Sequence, residues 1–374
     1  MAPDISRRGF LTGGLAAAAG LAVSGLALPA ALAAPAGQSD QDLCTLLDLS
    51  KCIGCEACVD ACRDQWQADL PDPVQPIPRP LPARVPTEDW SGRKQVRDRL
   101  TPYNFLYVEH LEVEHAGRRV ELHLPRRCMH CQNAPCADLC PFGACQDEKS
   151  GVVHIDPEIC LGGAKCKNVC PWHIPQRQSG VGLYLNLLPQ YVGNGVMFKC
   201  HRCLPLLRKG QAPRCLAECP QQVQSIAPRS AQAAQAQALA RDMAAKDGAS
   251  PERWRDYVYG LEENGGTNTI YVAPLPFREI NAALLKDHQA KAHKERADAQ
   301  AAGRPPEPGN LGRPAMGLVK NSMGDAQNLT LALAIAPVAG LAAGLGRLFS
   351  KTRRLAGPAA APAKDSDSQK GGQA

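Results

Sequence analysis

The chain has 374 residues, including 32 prolines, 33 glycines and 17 cysteines, and only 5% of it is aromatic. That length allows two domains or one elaborate one, and so few aromatics argue against a large conventional hydrophobic core. The formal charge of +6 is mild, and no Lys/Arg-rich face with interleaved aromatics occurs, so the basicity is not read as a nucleic-acid footprint.

Residues 1–33 read as an address. Ser6-Arg7-Arg8-Gly9-Phe10-Leu11 has the form of a twin-arginine signal, and a weakly apolar Gly/Ala run follows from Thr12 to Ala34. Cleavage is expected after Ala33 or Ala36, the alternative being a chance Arg-Arg before an alanine-rich helix. The twin-arginine route exports folded proteins, so an oxidising destination does not turn these cysteines into disulfides.

Residues 42–62 carry the first cysteine motif, Cys52-Ile-Gly-Cys55-Glu-Ala-Cys58-Val-Asp-Ala-Cys62. Prolines at 71, 73, 76, 78, 80, 82 and 86 then exclude helix and inner strand and favour an extended loop laid over the domain, a partner-docking arm being the alternative. Tyr107, Val108, Leu111 and Val113, then Val120, Leu122 and Leu124, straddle His115-Ala116-Gly117-Arg118 and predict a β-hairpin. Two motifs occupy 128–171: Cys128-Met-His-Cys131-Gln-Asn-Ala-Pro-Cys136-Ala-Asp-Leu-Cys140-Pro141 and Cys160-Leu-Gly-Gly163-Ala-Lys-Cys166-Lys-Asn-Val-Cys170-Pro171. Gly151–Asp156 between them reads as a short strand. The fourth motif opens with Cys200-His-Arg-Cys203 and closes with Cys215-Leu-Ala-Glu-Cys219-Pro220.

Beyond the motifs, 231–245 predicts a helix, Thr269–Val272 a strand, 281–298 a polar helix and 303–316 a Pro/Gly linker; 281–328 is taken as one region of polar helix and linker. Residues 329–346 are 18 positions without a charge, about 27 Å as a helix, which is close to one hydrocarbon core. Arg347, Lys351, Arg353 and Arg354 follow, so a transmembrane anchor would leave a cytoplasmic tail over 347–374, basic and then disordered. The alternative is a buried soluble helix.

Fifteen of the 17 cysteines fall in the four motifs. Their spacing is the ligand grammar of cubane iron–sulfur clusters, in which a C-x2-C-x2-C loop wraps three corners and the cysteine after the next three residues reaches a neighbouring cluster. Isolated pairs such as Cys200/Cys203 occur in zinc ribbons, but the triplet and the recurrent C-x3-C-P are not zinc spacings. The nested arrangement suggests that motif one exchanges with motif four, and two with three. Cluster A then takes Cys52, Cys55, Cys58 and Cys219; cluster B takes Cys200, Cys203, Cys215 and Cys62; cluster C takes Cys128, Cys131, Cys136 and Cys170; cluster D takes Cys160, Cys166 and Cys140. Order along the chain does not by itself establish this pairing. Cluster D lacks one thiolate because Gly163 stands at the expected second position. That leaves a [3Fe–4S] core, a [4Fe–4S] core with a non-cysteine ligand, or no cluster. Cys145 is a candidate substitute, read against a buried structural thiol, and Cys44 reads as a strand cysteine. His130 and His201 read as solvent-facing loop histidines, with N–H···S bonds as the alternative. Trp172 reads as packing, and His173 as a candidate for lining a path to a partner.

Taken with the twin-arginine signal and the apolar span, the motifs resemble the four-cluster iron–sulfur (β) subunits of molybdopterin oxidoreductase systems. The likeness is greatest to those of respiratory formate dehydrogenase and uptake [NiFe] hydrogenase. It covers about 42–280 and the anchor, and includes Tyr257–Thr267 and Tyr271–Pro276; Gly163 and the proline insertion depart from it. The resemblance implies an α+β fold of two interleaved ferredoxin-like units (42–62 with 196–225, and 120–185) plus a C-terminal transmembrane helix, and it supports the nested pairing. It implies three [4Fe–4S] clusters and one [3Fe–4S] or incompletely ligated [4Fe–4S] cluster. The chain is then a non-catalytic subunit carrying electrons between a periplasmic molybdopterin or [NiFe] catalytic subunit and a membrane cytochrome b or quinone-reactive subunit. It would sit on the periplasmic side of the bacterial inner membrane after passing the twin-arginine export machinery, with no nucleic-acid partner. A different class, a catalytic enzyme using an open iron at the three-cysteine cluster, rests on Gly163 alone, and a metal-stabilised scaffold without electron transfer is a third. No nucleophile–base pair and no phosphate-cradling loop accompany the cysteines.

Overall fold

A computed structural model describes residues 42–80, 85–148, 150–183, 185, 193–303, 312–321 and 323–325. The expected signal (1–33), apolar span (329–346) and tail (347–374) lie outside the described residues. Among the described residues no helix is long and apolar enough to cross a membrane. The elements in chain order are β1 (Leu43–Asp48), α1 (Ala57–Trp66), β2 (Tyr107–His115), β3 (Arg118–Arg126), α2 (Pro135–Asp138), β4 (Cys145–Glu148), β5 (Val152–Ile155), α3 (Lys165–Val169), β6 (Gln176–Gln178), β7 (Val196–Phe198), α4 (Leu204–Leu207), α5 (Arg214–Ala217), β8 (Gln224–Pro228), α6 (Arg229–Lys246), β9 (Val258–Tyr259), β10 (Thr269–Val272) and α7 (Phe277–Ala301).

A mixed sheet in the order β8-β1-β10-β9 frames the first and last motifs. β1 runs parallel to β10, with Thr45 opposite Thr269, and antiparallel to β8, with Thr45 opposite Ile226. Alternation along the strands divides two cores. Cys44, Leu46, Ile270 and Val272 face Ala236, Ala240 and Met243 of α6, whereas Leu47 and Tyr271 face the larger core that holds most cysteines. Cys44 is therefore a buried strand cysteine.

The hairpin β2–β3 forms over 107–126, turning through Ala116 (φ 47°) and Gly117 (φ 77°). α7 packs across β2 and starts at Phe277, four residues before the expected polar helix. Pro276 precedes it, and Phe277, Ile280 and Leu284 bury one face, so apolar packing sets the start. The inner contact is a buried polar triad: His288 Nε2 lies 2.9 Å from Glu109 Oε1, and Tyr107 donates to Glu109 Oε2 at 2.8 Å.

The described part of the proline-rich segment lies over the domain as expected: the Val74 N–H donates to Gly180 O at 2.9 Å, and Pro86 O accepts from Arg177 at 2.7 Å. Glu88 pairs with Arg177 at 2.8 Å and Lys167 at 3.3 Å, and the Ser179 N–H donates to Glu88 O at 2.8 Å. β6 pairs with β7, so the strand pair that closes the 120–185 region also leads into motif four.

Candidate metal centres

The four motifs share one backbone device. The residue two after the first cysteine is left-handed in each: Gly54 (φ 70°), His130 (φ 48°), Gly162 (φ 63°) and Arg202 (φ 50°). That turn aims an N–H at the first sulfur, from Gly54 to Cys52, from Gly162 to Cys160 and from Arg202 to Cys200, the last at 3.4 Å. Only glycine fits at 162, where a Cβ would meet the carbonyl oxygens of Asn194 and Gly195 at 2.4 Å.

The third cysteine of each four-cysteine motif, and Cys166 of motif three, stands on a helix, with the last cysteine of its motif four residues on. These pairs are Cys58/Cys62 on α1, Cys136/Cys140 at α2, Cys166/Cys170 at α3 and Cys215/Cys219 at α5. After each Cys-Pro the chain doubles back and returns an N–H to the sulfur. Cys145 N–H meets Cys140 Sγ at 3.4 Å, Val223 N–H meets Cys219 Sγ at 3.4 Å, and the Ile174 N–H serves Cys170. α1 packs on α5 and α2 on α3, so motif one meets four and motif two meets three.

Cys52, Cys55, Cys58 and Cys219 converge on a pocket walled by Val108 and Pro125. Cys62, Cys200, Cys203 and Cys215 line a second, beneath Trp66 and Phe105. Trp66 Nε1 donates to Cys203 Sγ at 3.3 Å. Cys128, Cys131, Cys136 and Cys170 form a third group: burial, then Cys170, Cys128 and Cys136, push the Cys131 thiol well up. Cys140, Cys160 and Cys166 form a fourth. Burial, then Cys160, Cys136 and Cys140, push Cys166 up to about 12. Burial and thiolate crowding alike oppose ionisation, and a bound metal core reverses both.

The surrounding polar groups fit such a core. Arg127 Nη1 donates to Cys215 Sγ at 3.0 Å, and Lys199 Nζ lies 3.4 Å from Cys128 Sγ. Arg127 Nη2 and His130 Nε2 are buried without a hydrogen-bond partner, donors that sulfides of a cluster would satisfy. An all-thiolate donor set with N–H groups directed at sulfur is the chemistry of iron–sulfur ligation.

The two histidines differ from the solvent-facing expectation. His130 is 1% exposed, and its Nδ1 accepts the Val153 N–H at 3.1 Å, tying the motif-two loop to β5. His201 packs edge-on against Trp66 with ring centroids 4.5 Å apart, and its Nδ1 accepts from Leu204 N–H. In both, a backbone N–H donated to Nδ1 holds the ring in the wall. Trp172 is buried and donates to the Tyr259 hydroxyl at 2.9 Å, which is packing, while His173 is exposed. Cys145 is a buried thiol beside Cys136. The hydrogen bond to Cys136 and then burial hold its proton on.

Gly163 is exposed, as is Cys55. The loops around them match: Gly54 and Gly162 are left-handed, and so are Glu56 (φ 57°) and Ala164 (φ 56°). Gly163 thus occupies the place of a middle cysteine. Apart from its chain neighbours, a Cβ built on it has only Phe142 Cε2 within 4 Å, at 3.9 Å.

Sequence reasoning missed three contributors. Arg127 and Lys199 each directly precede a first cysteine, a signal visible in the sequence but not interpretable without the fold. Asn264, left-handed and buried, hydrogen-bonds to Cys131 and donates to Asn133 O at 3.0 Å. The segment that includes Asn264 therefore serves motif two: Gln132 N–H donates to Gly266 O at 3.0 Å, and Asn268 N–H to His130 O at 2.8 Å.

Comparison with known proteins agrees with this geometry. Family models for a 4Fe–4S dicluster domain match residues 51–144 and 120–229. The chain is 26% identical over 282 residues to the Hydrogenase-2 operon protein HybA of Escherichia coli O157:H7, covering 67% of this chain and 75% of that protein. It is 32% identical over 176 residues to the thiosulfate reductase electron transfer subunit PhsB of Salmonella typhi, covering 47% of this chain and 70% of that protein. The NrfC homolog of Haemophilus influenzae is 27% identical over 217 residues, covering 58% of this chain and 76% of that protein. With the cysteine groups assembled as they are, the chain belongs to the ferredoxin-like 4Fe–4S electron-transfer subunits of oxidoreductase complexes.

Proposed function

We propose that this chain relays electrons through four iron–sulfur centres between a periplasmic catalytic subunit of formate dehydrogenase or [NiFe] hydrogenase type and a membrane cytochrome b or quinone-reactive subunit. The ligand sets are Cys52, Cys55, Cys58 and Cys219; Cys62, Cys200, Cys203 and Cys215; Cys128, Cys131, Cys136 and Cys170; and Cys140, Cys160 and Cys166. The last set holds a three-iron core or a four-iron core with a solvent ligand at position 163. Bound there, the clusters supply one-electron redox chemistry.

The observation that carries this reading is continuity. Cys58 and Cys62 lie on one helix yet face different cavities, so four residues, about 6 Å of helix, separate the first two groups. Cys136/Cys140 and Cys166/Cys170 relate the last two groups in the same way. Tunnelling falls exponentially with distance, so groups this close suit electron relay, whereas a metal-stabilised scaffold needs no such chain. The twin-arginine motif and the apolar span support export and a C-terminal anchor on the periplasmic side of the inner membrane.

Anaerobic reconstitution tests the reading. The full chain should bind about fifteen or sixteen irons, reduce reversibly and turn over neither formate nor hydrogen alone. Zinc in place of iron, or turnover by the isolated chain, would overturn it. Co-purification with a molybdopterin or nickel–iron large subunit encoded alongside tests the partner.

A further inference from the structure

Two buried cations cross in opposite directions between the second and third cysteine groups. Arg127 directly precedes Cys128 of the third group, yet donates to Cys215 Sγ of the second at 3.0 Å. Lys199 directly precedes Cys200 of the second group, yet its Nζ lies 3.4 Å from Cys128 Sγ of the third. They are 3% and 5% exposed. The other neighbours of Lys199 Nζ are the carbonyls of Val153 and Cys200, and Arg127 Nη2 is a buried donor without a partner. Among the described residues no carboxylate pairs with either. Arg202, buried nearby, differs: carbonyls of Leu43, Gly151 and Asn268 and the Thr269 hydroxyl take up its guanidinium. A buried cation without a carboxylate is costly unless another anion balances it, and the anions within reach here are the cysteine sulfurs.

We propose that Arg127 and Lys199 form a crossed pair of fixed charges that raises the reduction potentials of both centres at this junction together, so that neither one traps the electron. The proposal rests on the ligand sets given above. One electron leaves one centre as it enters the other; the first is oxidised by one electron and the second reduced by one. No proton is required, because the two cations lie against both partners before and after the step. Fixed positive charge favours the reduced, more negative state of each centre. Because each cation is rooted beside one centre and touches the other, loss of either charge should move both potentials.

The test is a redox titration of the anaerobically reconstituted full chain, followed by electron paramagnetic resonance, with iron measured alongside. Cys55→Ser marks the signal of the first centre. Lys199→Met and Arg127→Met remove charge and keep packing; Lys199→Gln and Arg127→Gln remove charge and keep N–H donors; Lys199→Arg and Arg127→Lys keep charge. Each neutral variant should lower the reduction equilibrium of both junction centres at least about tenfold, 59 mV for one electron, and move the centre marked by Cys55→Ser, whose Cys58 Arg127 also faces, by clearly less. The charge-keeping variants should stay near wild type. Iron loss confined to the neutral variants also supports the proposal, because it makes the charge necessary for the centres to form. Potentials unmoved in the Gln variants, a shift confined to one centre, an equal shift of all centres, or iron loss from the charge-keeping variants would each overturn it. A wild-type chain holding far fewer than about a dozen irons would instead overturn the ligand assignment beneath it.

Discussion

Gly163→Cys offers the sharpest test of the fourth centre. The loop already has the shape of its four-cysteine counterpart, with left-handed residues on both sides of position 163 as on both sides of Cys55. The φ of Gly163 is not left-handed, and a new Cβ meets only Phe142 Cε2 at 3.9 Å, an ordinary contact. Such a replacement of glycine, by restricting the unfolded chain, stabilises by about 0.4–1 kcal/mol, so the fold should tolerate it. A fourth thiolate should convert a three-iron core to a four-iron core. Iron content then rises by one in about fifteen, close to the error of a metal assay, so spectroscopy has to decide. An oxidised three-iron core is paramagnetic and an oxidised four-iron core of this type is silent. The wild-type oxidised protein should therefore show a signal, and the variant should lose nearly all of it. A signal that persists at full strength in the variant would refute the assignment of position 163. A silent wild type with about sixteen irons would mean that a four-iron core is already completed by solvent, and one with about twelve that the site holds no cluster. Under the catalytic alternative the same change would also abolish activity.

Other expectations follow from single contacts. If the ligand sets cross over, Cys219→Ala should perturb the same resonance as Cys55→Ala, and Cys62→Ala the resonance of the Cys200/Cys203/Cys215 centre; the reverse pattern in the spectra would exclude nested pairing. Glu109→Ala leaves His288 and Tyr107 buried without their acceptor and should cost about 3–5 kcal/mol in chemical denaturation. Burial pushes the Glu109 carboxyl up, but the hydrogen bond and charge of His288 outweigh it and hold the carboxyl below its ordinary value. Its contribution is thus present above about pH 4.3 and fades as pH falls through the lower folded value, a loss that Glu109→Gln should remove. His115 runs the other way. Its ring lies 2.6 Å from Glu279 and 2.7 Å from Asp247, and these hydrogen bonds raise its pKa. The stabilisation, about 1.5–3 kcal/mol for a charge-assisted bond, is complete below about pH 6.5 and lost as pH rises through the raised value. Urea midpoints of wild type and His115→Gln should therefore converge at alkaline pH; a constant gap would deny the charge.

Local signals were legible and distant ones were not, for a physical reason. Cysteine spacing determines a loop whose left-handed turn and N–H donors arise within a few residues, so four motifs could be read without the fold. The hairpin at 107–126 and the strand at 269–272 were equally local. The parallel pairing of β1 with β10 joins residues more than two hundred positions apart, and no periodicity in either strand names its neighbour. His130 looked like an exposed loop residue because nothing nearby in sequence reveals that β5 will present the Val153 N–H to its ring.

The junction shows how the two levels combine. β3 ends at Arg126, Arg127 follows, and then Cys128; β7 ends at Phe198, Lys199 follows, and then Cys200. Each unit therefore enters its motif by the same strand–cation–cysteine step. A strand end leaves the next residue close to the sulfurs of its own loop, where a left-handed turn already supplies N–H donors. The long cationic side chain is then free to reach the facing group instead. Two such steps brought together at one interface place each charge on the opposite side of the junction. The order of residues makes the crossing available, and the meeting of the two units makes it happen.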